Sequence, residues 1–155
     1  MSVTEHDLSE IEGKISSLLG KQAWGAQLGV GSFITIEFGD SQPPSSMGEP
    51  PHGAWHLWVY CCAWRLETQE EVVAASEDPR PKLEVAVQRL NDRTLRAVEV
   101  QRPALETTFI FEDGLILRLF PIFSEDFEHW MLYDPTGNVL TVGPGTEWSY
   151  EAAGS

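Results

Sequence analysis

An apolar run from Ala54 to Leu66 is the feature that most restricts how this chain can fold. Successive residues of a β-strand point to opposite faces, so a strand over this run presents two sets of side chains. One set comprises His56, Trp58, Tyr60, Cys62, Trp64 and Leu66. The other comprises Trp55, Leu57, Val59, Cys61, Ala63 and Arg65. Because both sets are mainly apolar, the run predicts one long central strand, or two strands with a bend, covered on both faces.

The same order of elements is predicted twice along the chain. In the first half a helix over about residues 5–19 is indicated by Leu8, Ile11, Ile15, Leu18 and Leu19. A bent strand over 22–30 and a strong strand over 33–38 follow it and precede the apolar run. In the second half a helix begins near Pro79 and Pro81. Further strands are predicted over 94–102, 107–111, 115–120, 129–133 and 139–142.

The two halves also share residues at similar spacing. Trp64-Arg65-Leu66 matches Trp130-Met131-Leu132 at an offset of 66, and Ile15 and Leu19 match Ala86 and Leu90 at an offset of 71. We therefore predict an α+β fold with two tandem repeats, each a helix plus antiparallel strands, over about 5–67 and 79–142. A unit of this size buries little core alone, so the repeats should pack with pseudo-two-fold symmetry into one domain spanning 1–155. Residues 146–155 are expected to form a short tail.

Two segments are expected to lie outside regular structure. Residues 41–53 contain four prolines and predict a long loop, ordered or not, of a kind that is often functional. Residues 68–78 are acidic and polar and predict a linker.

The charge and the cysteines exclude several classes of protein. Lys and Arg number 10 against 24 Asp and Glu, a net charge of −14, whereas nucleic-acid binding needs clustered cations. The apolar run is too short and mixed to span a bilayer, and the first ten residues do not form a signal peptide. Cys61 and Cys62 are adjacent and cannot easily bridge each other, which is typical of a reducing compartment. We expect a soluble cytoplasmic protein, and the sequence leaves its oligomeric state open.

Acidic residues are segregated from the cations along the chain. No Lys or Arg follows Arg118, and none lies between Arg65 and Arg80. An acidic face of this kind attracts a basic protein partner, although solubility alone is an alternative reason for the charge. The predicted partner-binding residues are Glu70, Glu71, Glu125, Asp126, Glu128 and Trp148, the last as an exposed aromatic anchor.

No catalytic, cofactor or metal site is predicted. Cys61 and Cys62 lie in an apolar strand, where burial is the ordinary role of cysteine. Four-residue spacing in a strand is expected to leave His52 and His56 about 13 Å apart, too far for shared ligation. Gly29-Val30-Gly31 lacks the third glycine and the helix of a dinucleotide site.

Two strings resemble small acidic bacterial proteins, some of which are immunity partners of secreted toxins. The first runs from Trp55-His56-Leu57-Trp58 to Trp64-Arg65-Leu66. The second runs from Trp130 through Gly137-Asn138-Val139-Leu140 to Gly143-Pro144-Gly145. The resemblance implies a protein that covers a basic toxin and blocks it by steric and electrostatic occlusion.

Three hypotheses of function follow. The first is a non-enzymatic, acidic protein-binding module, plausibly an immunity protein. The second is a small enzyme or small-ligand binder whose pocket lies between the two repeats, near His56, Cys62 or His129. The third is a structural domain with no dedicated ligand. A deep pocket that joins histidine, cysteine and carboxylate groups would favour the second.

Overall fold

The computed structural model describes residues 3–42, 48 and 51–154. Over these residues the chain forms two α-helices and two antiparallel β-sheets, an α+β fold. Most of the predicted loop over 41–53 lies outside the described residues, but Ser41 and Gln42 end one strand and His52 and Gly53 begin the next. Within the described ranges, neither helix has the length and apolar character needed to cross a membrane.

Each helix is followed directly by a 3₁₀ turn. Helix α1 (Glu5–Ile15) begins with a capping box, in which Asp7 N donates to Thr4 Oγ1 at 3.1 Å and Thr4 N donates to Asp7 Oδ2 at 2.8 Å. Helix α2 (Arg80–Val87) begins at Pro79 and has a proline in its first turn, as predicted. Each helix packs apolar side chains against the core, among them Ile11 of α1 and Leu83 of α2.

Among the described residues, six strands form the larger sheet and five form the smaller one, and all neighbouring strands are antiparallel. In spatial order the larger sheet contains β1 (Ala23–Leu28), β2 (Ile34–Gln42), β3 (His52–Val59), β9 (Trp130–Tyr133), β10 (Asn138–Val142) and β11 (Trp148–Ala152). The smaller sheet contains β5 (Val72–Ala75), β4 (Cys62–Glu67), β8 (Ile116–Pro121), β7 (Glu106–Phe111) and β6 (Leu95–Gln101).

The apolar run from Ala54 to Leu66 forms two strands with a bend. The chain leaves the larger sheet after Val59, turns at Tyr60 and Cys61, and enters the smaller sheet at Cys62. Both strands are central, since β3 lies between β2 and β9 and β4 lies between β5 and β8. The expectation of full cover on both faces is wrong for β3, whose outer face carries the half-buried His56 and Trp58.

Two strands were missed by the sequence prediction. Residues 72–75 form β5 inside the predicted acidic linker, and residues 148–152 form the edge strand β11 instead of a tail. The local sequence of each strand is polar or short, so pairing with a neighbouring strand decides whether the segment becomes a β-strand.

One cluster of buried side chains fills the space enclosed by the sheets and helices. Its two largest members are Trp64 and Trp130, which are fully buried. The indole N–H of Trp64 donates to Ser32 O at 2.7 Å, and that of Trp130 donates to Thr107 Oγ1 at 3.0 Å. Satisfying both donors removes the penalty that an unpaired buried polar group would impose on the core.

Candidate functional site

The loop between β8 and β9 brings three of the predicted partner-binding acids together with Trp148. Glu125, Asp126 and Glu128 line one wall of a surface pocket of about 890 Å³, and Trp148 at the start of β11 lines another. The sequence alone could not show this convergence, because it depends on the pairing of β9, β10 and β11.

Glu70 and Glu71 do not join this group. Strand β4 pairs with β8 so that Glu67 lies opposite Ile116 and Cys62 lies opposite Pro121. The turn after Glu67 and the loop after Pro121 therefore leave opposite ends of the smaller sheet, about 17 Å apart by the rise per residue. Glu71 Oε1 also lies 3.4 Å from Arg89 Nη1, so a cation is close to it in space. Glu70 and Glu71 therefore lie at the other end of the smaller sheet from Glu125, Asp126 and Glu128.

The pocket at Trp148, which we call the acidic pocket, carries strongly one-sided charge. The described residues that line it include five carboxylates and no Lys, Arg or His; the five are Asp7, Glu125, Asp126, Glu128 and Glu147. Hydrogen bonds from the backbone and side chain of Thr4 lower the pKa of Asp7 below its ordinary value. Trp148 Nε1 donates to Asp7 Oδ1 at 3.2 Å, which ties the indole to the acidic wall.

Trp148 was predicted to be an exposed aromatic anchor in a tail, but it lies in strand β11. The side chain is half-buried and packs against the core, and its strand is the edge of the larger sheet. Strand pairing and the hydrogen bond to Asp7 therefore hold the indole beside the carboxylates, whereas a free tail would not.

The cysteines and His129 are poorly placed for chemistry. Cys62 is buried, and burial raises the pKa of its thiol to about 12. Cys61 lies at the bend and is half-buried, and desolvation followed by the charge of Glu128 raises its pKa. His129 is buried, and desolvation lowers the pKa of its imidazole. Neither Cys62 nor His129 lines a pocket with His56 among the described residues.

A cluster of one glutamate and two histidines lies on the outer face of the larger sheet. It was not predicted from the sequence. Glu37 on β2 is paired in register with His56 on β3, and Glu37 Oε2 lies 2.7 Å from His56 Nδ1. His52 Nδ1 lies 3.6 Å from Glu37 Oε1. The two imidazole ring centroids are 4.9 Å apart, so the expected separation of about 13 Å is wrong for the side chains. Backbone rise sets only the Cα spacing, whereas both rings lean toward the same carboxylate.

Two glycines make room for the buried carboxylate of Glu37. Gly53 N donates to Glu37 Oε1 at 2.9 Å, and a Cβ at position 53 would stand 2.4 Å from Phe38 O. A Cβ at Gly25, whose φ is +60°, would stand 3.2 Å from Glu37 Cγ. A side chain at either position would crowd the strand pairing or the carboxylate.

Two pockets adjoin this cluster, which we call the Glu37 cluster, and His52, His56 and Trp58 line both. The larger, of about 580 Å³, extends from β3 to the turn after Tyr133 and so joins the two halves of the chain. The smaller, of about 300 Å³, lies toward Trp24 on β1. The only sequence signals for this site were a glutamate inside the apolar strand β2 and two histidines on one face of β3.

Comparison with protein families, with curated proteins and with solved structures finds no match for this chain. The resemblance to toxin-immunity proteins therefore stays a prediction.

Proposed function

We propose that this chain is a non-enzymatic binding protein for a basic protein partner, and that the acidic pocket is the contact surface. The observation that carries the proposal is the lining of five carboxylates around a fixed indole with no described Lys, Arg or His. A projecting lysine or arginine side chain fits such a pocket by charge, and the indole face adds a favourable contact for a cation.

Occlusion is the mode of action that we propose. A toxin-immunity protein need not perform chemistry, because it blocks its partner by covering a functional surface. The concave shape of the acidic pocket and the rigid edge strand that carries Trp148 support recognition of a preformed basic protrusion. A cytoplasmic location belongs to the same proposal and is supported by two free cysteines.

Two of the predicted acids lie far from the acidic pocket, so a matched pair of double variants can test the proposal. Glu125→Lys with Asp126→Lys alters the acidic pocket, whereas Glu70→Lys with Glu71→Lys makes the same change of net charge at the other end of the smaller sheet. We expect the first double variant to weaken binding of a nona-arginine peptide at least about tenfold at moderate salt, and the second to weaken it far less. Equal weakening by both would contradict a local site and leave solubility as the reason for the charge.

We also infer that the fold is a tandem duplication with pseudo-two-fold symmetry. The element order supports it: each half has a helix, a 3₁₀ turn, three sequential strands in one sheet and then strands in the other. Strands β1–β3 belong to the larger sheet and β6–β8 to the smaller, and the halves exchange their later strands through the pairs β3–β9 and β4–β8.

Reciprocal hydrogen bonds support the same inference. Gly20 N donates to Leu95 O at 2.8 Å, and Asp92 N donates to Ala23 O at 2.7 Å. The two donors, Gly20 and Asp92, are 72 residues apart, and so are the two acceptors, Ala23 and Leu95. This offset of 72 replaces the offset of 71 taken from the sequence. The two 3₁₀ turns, Ser16–Leu18 and Gln88–Leu90, have the same offset.

A further inference from the structure

We infer that Glu37, His52 and His56 form a binding site for a divalent transition-metal ion, with Zn²⁺ as the best fit. Two imidazoles and one carboxylate are a ligand set that zinc accepts, and imidazole selects zinc, copper and nickel over magnesium and calcium. The site is separate from the acidic pocket, because no described residue lines both the acidic pocket and the pockets beside the Glu37 cluster.

The distances between the side-chain atoms are close to what a tetrahedral ion requires. One nitrogen or oxygen from each of the three residues lies within 4.8 Å of the others. Ligands bound at about 2.0–2.2 Å in tetrahedral geometry stand roughly 3.3–3.6 Å apart. His56 Nδ1 lies 2.7 Å from Glu37 Oε2 and His52 Nδ1 lies 3.6 Å from Glu37 Oε1, so the two imidazoles approach different oxygens of the same carboxylate. Binding of one ion by all three residues therefore requires the rings to rotate so that the ligand atoms converge.

The carboxylate of Glu37 is positioned before any ion arrives. It is 5% exposed, it accepts a hydrogen bond from Gly53 N, and the two glycines leave space beside it. An outer hydrogen bond of this kind orients a ligating carboxylate and raises metal affinity. A buried carboxylate also gains more from a cation than an exposed one does, because less solvent screens the charge.

The cluster leaves a coordination position open. His52 has a side chain that is 47% exposed, so an ion can reach the site from solvent and the ring can turn to bind it. The adjoining pockets on both sides of the two histidines give room for water or a small ligand at the remaining position. Three protein ligands with an open fourth position are typical of zinc sites that bind a further molecule.

The experiment is a titration of the tag-free full chain with Zn²⁺ by calorimetry and with Co²⁺ by visible absorption. We expect one ion per chain with a dissociation constant tighter than about 100 µM. His52→Ala removes a half-exposed ligand without disturbing the core, and Glu37→Gln removes the carboxylate charge. Each should weaken binding more than about tenfold, the smallest loss usually seen on removing even an outer partner.

His6→Ala is the matched control, since His6 is exposed and lies 3.4 Å from Glu10 in another histidine–carboxylate pair. This variant should bind both ions as the unmodified chain does. The inference is overturned by weaker binding than the stated limit, by wild-type affinity in His52→Ala, or by loss of binding in His6→Ala. A thiolate charge-transfer band with Co²⁺ would also overturn it, because that band would place the ion at a cysteine.

Discussion

Gly143 lies against the imidazole ring of His129, and a Cβ atom at position 143 would stand 2.5 Å from that ring. The glycine has a φ of +88°, in the region that disfavours every residue with a side chain. His129 N donates to Val142 O at 2.8 Å, which holds the histidine beside this turn. The close approach of Gly143 contributes to the burial of His129, which the second hypothesis of function placed near a pocket.

We predict that Gly143→Ala lowers the free energy of unfolding by more than about 3 kcal/mol, because backbone strain and a steric clash act together. Gly137→Ala is the control, since Gly137 has a φ of +84° and nothing lies within 4 Å of its added Cβ. Strain alone should cost that variant about 1–2 kcal/mol. Urea denaturation of both variants measures the difference, and equal losses would contradict the contact with His129.

Burial of His129 predicts a pH dependence of stability. Desolvation lowers the pKa of its imidazole in the folded state below the ordinary value of 6.5, so the unfolded state takes up the proton first. Above pH 6.5 both states are neutral and the group contributes nothing; as the pH falls below 6.5, stability is lost. Between pH 6.5 and 5.5 the loss is at most about 1.4 kcal/mol.

Imidazole ¹⁵N chemical shifts should show His129 still neutral below pH 6.5, and urea denaturation at pH 7.5 and 5.5 should show the loss. His129→Gln should reduce this difference between the two pH values. A titration midpoint for His129 at or above pH 6.5 would contradict the prediction.

The two cysteines should differ in reactivity, although the sequence predicted that both would be buried and inert. Cys62 is buried with a pKa of about 12, whereas Cys61 is half-buried at the bend between β3 and β4. Since the thiolate is the reactive form, a thiol reagent at pH 8 should label Cys61 slowly and Cys62 only on unfolding. Cys61→Ser should abolish labelling of the native protein. Rapid labelling of that variant would show that Cys62 is accessible.

Local sequence patterns were sufficient to predict the helices and strands whose apolar side chains form the core. The spacing of Ile11 and Ile15 predicted α1, and the apolar alternation of 33–38 predicted most of β2, because burying those residues is the main source of their stability. Strand β5 follows two glutamates and is only four residues long, so its pairing with β4 could not be read from its own sequence. Strand β11 is also short, and its pairing with β10 could not be predicted from its own sequence.

The candidate sites depend on strand pairing more than on composition. Glu125 and Asp126 were predicted, but their separation from Glu70 and Glu71 follows from the register of β4 with β8. The Glu37 cluster depends on the register of β2 with β3, interrupted between Phe38 and Ser41. A one-residue slip would move Glu37 away from His56.

Trp64 and Trp130 provide the energetic test of the proposed duplication. Trp64 lies opposite Leu119 in the pair β4–β8, and Trp130 lies opposite Val59 in the pair β9–β3. Each is fully buried and donates its indole N–H, either directly to a backbone carbonyl or to the hydroxyl of Thr107. The Thr107 hydroxyl in turn donates to Leu105 O at 2.9 Å.

If the two positions are equivalent, Trp64→Phe and Trp130→Phe should lower the free energy of unfolding by similar amounts, about 2–3 kcal/mol each. Each variant loses volume. Trp130→Phe also leaves the buried hydroxyl of Thr107 without its donor, and Trp64→Phe leaves the carbonyl of the half-buried Ser32 without its donor. Thr107→Val should make the indole of Trp130 the unsatisfied group and so bring a loss of about 1–3 kcal/mol. Denaturant unfolding measures all three. A difference between the two tryptophan variants greater than about 1 kcal/mol would contradict equivalent environments, since equivalent sites should lose about the same free energy of unfolding on the same substitution.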